Sequence, residues 1–107
     1  MFQALIRGEE RLGSTVHVMT PEIDSGVIVA QSSFLVTEEM TLYDCYERSY
    51  SDCGPLTVES LSKIRDLSLT NLDNADFGIQ NDLEWSYFGL PTEEDWVRFR
   101  QTNRRFC

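Results

Sequence analysis

The spacing of apolar and polar residues changes several times along the chain, and each change marks an element. Met1 to Arg7 (Met-Phe-Gln-Ala-Leu-Ile-Arg) reads as a short helix stopped by Gly8. Ser14 to Met19 alternates with the period of a half-buried strand, and Val27 to Ala30 is a continuous apolar run suited to a central strand. The connection between them, Thr20-Pro-Glu-Ile-Asp-Ser-Gly26, is far longer than a tight hairpin needs. The Ser32-Ser33 pair breaks the second run, and Phe34 to Val36 extends or restarts it.

Thr41 with Asp44 forms a capping-box arrangement, with Asp in place of Glu. Leu42, Tyr46, Ser49, Cys53, Leu56, Ser60, Ile64 and Leu67 then recur in steps of three or four. That phase runs through Gly54-Pro55 and predicts one long helix over residues 42–66, kinked at the proline. The alternative is two helices split at Gly54. Ser68 to Glu84 is polar and reads as a loop. Thr92 and Asp95 repeat the box ahead of a helix over 93–102, where Trp96 and Phe99 share a face. The aromatics Trp85, Tyr87, Phe88, Trp96 and Phe99 are expected to form core, with the tail helix packed on the sheet or the long helix.

Length and composition narrow the class. A chain of 107 residues is one domain at most, and 41% hydrophobic with 11% aromatic residues suffices for a core. Two strands alone make only a marginal sheet, so a partner sheet from an N-terminal half or from another copy is expected. Opening on an apolar helix without a leader makes Met1 read as an internal start. The net charge of −9 repels phosphate backbones and argues against a nucleic-acid partner. The three cysteines, Cys45, Cys53 and Cys107, fit no metal or redox spacing, so no metal is expected, and Cys45 and Cys53 read as packed free thiols. No apolar run approaches the roughly 18 residues of a membrane span, and a cytoplasmic setting follows as the default. Arg98, Arg100, Arg104 and Arg105 complement the end of the last helix and offset the acidic surface; the other reading is a receiver for a phosphate-bearing substrate.

The chemistry-bearing candidates cluster early. Asp24 stands in the long connection, seven residues after the only histidine, His17. A loop held by two strands is how a scaffold presents a reactive carboxylate. Asp24 is otherwise a turn former that caps its own backbone ahead of Gly26. His17 reads as a supporting, packed histidine rather than a reacting one. Gly26 is expected to supply a backbone angle that other residues adopt only at a cost. Gln31 is expected to pair with the neighbouring chain rather than to meet substrate.

Gly13, Thr15, Val16, His17, Asp24, Gly26, Ile28 and Gln31 match the pattern G-x-T-V-H, six residues, D-x-G-x-I-x-x-Q. These residues resemble the folate-dependent formyltransferase family, which moves a formyl group from 10-formyltetrahydrofolate to an amine. The likeness extends back through Ala4-Leu-Ile-Arg-Gly-Glu9 and forward into Thr41-Leu-Tyr-Asp44; the tail pattern Y-F-x-x-P-T-x-x-D at Tyr87 to Asp95 is looser. The resemblance implies an α/β fold: the C-terminal part of a Rossmann-like domain, two or three strands with a long kinked helix and a C-terminal helix. Residues 1–67 then form a partial catalytic domain, and residues 68–107 a loop and helix packing on it.

The resemblance also implies roles. Asp24 is the catalytic carboxylate, His17 supports it, and Glu22, Ile23, Ser25 and Gly26 neighbour the folate. The attack of an amine on the formyl carbon leaves an oxyanion; an imidazolium stabilises it and the carboxylate relays the proton to the folate nitrogen. Family members draw an Asn and a His from an N-x-H segment that nothing in this sequence matches, so the isolated chain is expected to be inactive. A small-molecule amine is the expected acceptor. The alternatives are a non-catalytic truncated remnant or interaction module of acidic α/β type, and an unrelated acidic α/β binding domain.

Overall fold

In the computed structural model, residues 1–22, 25–72, 74–79 and 88–107 are described. The elements in order are α1 (Phe2–Ile6), β1 (Arg11–His17), β2 (Ile28–Leu35), α2 (Leu42–Ile64), α3 (Leu69–Leu72) and α4 (Glu93–Gln101). β1 and β2 pair antiparallel, and α2 lies across one face of the pair. The result is a two-stranded α/β unit, as the resemblance implied.

The register explains where the strands begin and end. Leu12 faces Phe34, Ser14 faces Ser32 and Val16 faces Ala30, and these side chains turn toward α2. Arg11, Gly13 and Thr15 face Leu35, Ser33 and Gln31 on the other side. β1 therefore runs from Arg11 to His17 instead of from Ser14 to Met19, and Met19 is 90% exposed. Ser32 and Ser33 do not break β2. Ser32 lies opposite Ser14, while the Ser33 hydroxyl accepts from Arg11 Nη2 at 2.7 Å, so short polar side chains fit both faces. Gln31 pairs across the ladder, donating from Nε2 to Thr15 Oγ1 at 3.0 Å.

The long helix begins at the expected box. Thr41 Oγ1 accepts from the Asp44 amide at 3.1 Å, and the Thr41 amide donates to Asp44 Oδ2 at 2.8 Å. The Thr41 amide, and after it the Thr41 hydroxyl, hold the Asp44 carboxyl below its ordinary pKa. Of the two readings at Gly54-Pro55, the single helix is the one formed, ending at Ile64. Its buried residues are Leu42, Cys45, Ser49, Leu56 and Ser60. Leu42, Ser49, Leu56 and Ser60 of the predicted stripe are buried, but Tyr46 is 39% exposed with Cys45 buried in its place, Cys53 is exposed, and Leu67 lies beyond the helix. Small inward residues are the reason. They let the helix approach the sheet closely enough for Ser49 Oγ to sit 2.7 Å from Ser14 Oγ, which a tyrosine there would prevent. Burial of Cys45 raises its thiol pKa, against a smaller opposing pull from Arg104.

The tail departs further from expectation. The polar stretch after α2 contains the short helix α3. α4 starts at the second box, where the Thr92 amide and hydroxyl lower the Asp95 carboxyl pKa. Its aromatic face lies on α1: the Phe2 ring is 5.0 Å from Phe99 and 4.6 Å from Trp96. Phe99 completes a core with Phe2, Leu5, Phe34, Leu42 and Cys45. Trp96 and Phe88 are 40% and 45% exposed, so neither is a core residue; Phe88 instead has the Arg7 guanidinium 5.5 Å from its ring centre. Trp85 and Tyr87 lie outside the described residues.

The last residues then return to α2. The amides of Leu42 and Tyr43, left without partners inside the helix, donate to the carbonyls of Arg105 and Phe106 at 3.0 and 2.9 Å. Arg104 Nη1 donates to Thr37 O at 2.9 Å, and Arg98 pairs with Glu94 at 2.7 Å. Of the four arginines, Arg104 thus ties the tail to a distant segment, while Arg98 pairs within α4. The three cysteines are free. Among the described residues no helix is long and apolar enough to cross a membrane, and no cluster of three metal-ligating residues occurs.

Candidate functional site

The strand pair is irregular where it meets the long connection. Val16 faces Ala30 but His17 faces Ile28, which leaves Val29 as an extra residue in β2, a β-bulge. Val29 is 3% exposed, so its carbonyl needs a partner from the protein. Lys63, in the last turn of α2, supplies it: Nζ lies 3.2 Å from Val29 O and also 2.7 Å from Glu59 Oε1. The bulge places His17 at the end of β1 rather than in mid-strand, half-buried, with Nδ1 3.0 Å from Val18 O.

Beyond His17 the connection is closed at its neck. The Val18 amide donates to Val27 O at 2.9 Å. Gly26 lies against the Val18 carbonyl, and a Cβ at that position would overlap the carbonyl oxygen and carbon. The expectation for Gly26 is corrected here. Its backbone is not in the left-handed region, and glycine is required by close approach of the two chains instead.

The rim of the loop is braced by hydroxyls. Thr20 Oγ1 donates to Glu22 O at 2.9 Å and lies 2.7 Å from Ser25 Oγ, which is itself 3.2 Å from Glu22 O. Two hydroxyls and one carbonyl thus close a triangle around the turn, although Glu22 and Ser25 remain exposed to solvent. Ile23 and Asp24, the middle of that turn, lie outside the described residues. Of the expected site residues, the structure brings Glu22, Ser25 and Gly26 together in one braced loop and sets His17 at its base.

Lys63, Val29 and Thr20 were missed by the sequence reading. A threonine beside Pro21 is a recognisable hydroxyl-to-backbone turn signal. Nothing in the spacing of Lys63 connects it to a strand 34 positions earlier. Chemically, the assembly is a hydrogen-bonded strand pair whose described loop residues Glu22 and Ser25 face solvent.

Residues 1–58 match the family model described as formyl transferase. They span α1, both strands, the braced loop and α2 as far as Val58. The chain belongs to the formyl transferase family. It is 38% identical over 61 residues to a methionyl-tRNA formyltransferase of Borrelia duttonii (strain Ly), and 37% identical over 60 residues to one of Borrelia recurrentis (strain A1). Those matches cover 57% and 56% of this chain but only 20% and 19% of the relatives' lengths. No solved structure matches the chain.

Proposed function

We propose that this chain supplies the loop-carboxylate side of a formyl-transfer site using 10-formyltetrahydrofolate as donor. Asp24 is the catalytic carboxylate in this reading. His17 supports it from the base of the loop, and Glu22, Ile23, Ser25 and Gly26 border the folate. Residues 1–67 form the partial catalytic unit and residues 68–107 the segment that packs on it, in a cytoplasmic protein. The observation that carries the reading is the family match across the whole strand–loop–strand unit, whose loop is necked and braced as a presenting scaffold requires.

For the acceptor, the relatives' name favours the amine of methionyl-tRNA over the small-molecule amine expected from charge. A net charge of −9 still repels RNA, so the tRNA contacts in this reading lie on other parts of the polypeptide. The N-x-H residues also have to be supplied from outside this sequence, and the chain by itself is expected to turn over no donor. The test is formylation of methionyl-tRNA, and of free amines, by a protein carrying this chain together with an N-x-H segment. Asp24→Asn should lower kcat by roughly 10²- to 10⁴-fold while leaving the unfolding midpoint unchanged. Undiminished turnover removes Asp24 from the mechanism, and a preference for free amines overturns the tRNA acceptor.

A further inference from the structure

α2 carries a second apolar stripe, on the side turned away from the sheet. Tyr43, Tyr46, Tyr50, Val58 and Leu61 are 59, 39, 71, 65 and 57% exposed. Their steps of three, four, eight and three keep them on one helix face. The gap of eight is bridged by Gly54, which lies on the same face with no atom within 4 Å of where a Cβ would stand. A glycine in the middle of an exposed helix face weakens the helix and fills no intramolecular need. Shallow hollows lie on either side of it, one lined by Tyr43, Tyr46 and Tyr50 and the other by Val58, Leu61 and Arg65.

We propose that this face docks against the same face of a second copy of the chain, the two α2 helices running antiparallel and crossing at Gly54. A two-fold axis there brings Tyr50 of each copy against Val58 of the other, Tyr46 toward Leu61, and Tyr43 toward Arg65. Aromatic half meets aliphatic half, and each hollow receives a side chain from across the axis, the self-complementarity an isologous contact demands. Arg65 over the Tyr43 ring adds a cation–π contact. Glycine at the crossing lets the two backbones approach closely. At about 200 Å² per aromatic side chain and less per aliphatic one, the exposed fractions amount to roughly 500 Å² per copy, on the order of 1,000 Å² for the pair. That is the size of a weak, reversible interface. Two copies at −9 each repel one another, so salt should tighten the association by screening.

Sedimentation equilibrium of the full chain tests the proposal directly. A reversible dimer is expected at about 100 μM, tighter in higher salt. Gly54→Lys should weaken it at least about tenfold while the thermal midpoint measured on dilute protein does not fall, because lysine is the better helix former and has open space around it. Added positive charge on an acidic chain favours association, so the loss is steric. Tyr50→Glu should weaken the dimer likewise. A monomer at every concentration overturns the proposal, as does a larger open assembly, or a dimer indifferent to both substitutions.

Discussion

Replacing Gly26 by alanine isolates the close approach that closes the loop. The added Cβ would occupy the position of the Val18 carbonyl oxygen, and restoring ordinary contact requires the two chains to part by on the order of 2 Å. One residue further on, the Val18 amide donates to Val27 O at 2.9 Å, and that bond cannot survive such a shift. Its net loss is worth about 1 kcal/mol, and displacing the half-buried backbone around it brings the expected total to about 1–3 kcal/mol. Urea denaturation followed by tryptophan fluorescence reads this as a lower midpoint at unchanged slope. The sign is diagnostic. Where a glycine's neighbours leave room for a Cβ, alanine stabilises by about 0.4–1 kcal/mol through the unfolded state. A Gly26→Ala chain as stable as the parent, or more so, would refute the steric account. In a longer, active protein the same variant should lose about 10²-fold in turnover, since a displacement near 1 Å is that costly to a positioned group.

Lys63→Met should destabilise the chain by about 1–2 kcal/mol, because the buried Val29 carbonyl loses its donor; an unchanged urea midpoint would show that water or a rearranged bulge replaces it. Acid should act through the two capping boxes. Asp44 and Asp95 both titrate below the ordinary 3.8 in the folded chain, so their contribution is complete above the unfolded value and is lost as pH falls through the folded one. Thermal midpoints should therefore drop below about pH 4. In the Asp44→Ala, Asp95→Ala double variant that part of the drop should vanish, and an identical pH profile would assign acid sensitivity to other carboxylates.

The elements that the sequence announced are those governed by neighbours a few residues apart. Thr41 with Asp44 and Thr92 with Asp95 bond within one turn, so both helix starts were readable. The length of α2 was readable for the same reason, since the phase of apolar residues carried past Pro55. What escaped depends on partners far along the chain. β1 begins at Arg11 because Leu35 lies opposite, which no local pattern encodes. Ser32 and Ser33 look like a break until Ser14 and Arg11 are brought beside them. The inward face of α2 was legible at Leu42, Ser49, Leu56 and Ser60 and missed at Tyr46 and Cys53. Apolar size pointed to Tyr46, whereas packing buries the smaller Cys45 beside it. At the loop, the residues were named but the glycine's reason was not, since a close approach between Val18 and Gly26 leaves no mark in composition.

The motif itself takes on a different meaning once its positions are seen in place. A Cβ on Gly13 would meet the Ser32 carbonyl, as one on Gly26 would meet that of Val18. Thr15 and Gln31 are partners across the ladder joined by a side-chain hydrogen bond. Val16 faces Ala30, and His17 and Ile28 face each other beyond the bulge. Every described position of the pattern therefore builds the hairpin, and a sequence that satisfies them specifies a stalk of fixed geometry before it specifies any reaction. Such rigidity is what catalysis by a positioned carboxylate requires, because the rate advantage of proximity is lost when the group can wander by an ångström. It follows that substitutions at Gly13, Thr15 or Gly26 change stability and turnover together, whereas Asp24→Asn is the variant expected to separate them. A loss of turnover confined to Asp24 would mark chemistry carried on a scaffold, and a loss shared in proportion to unfolding would leave the hairpin as the whole content of the pattern.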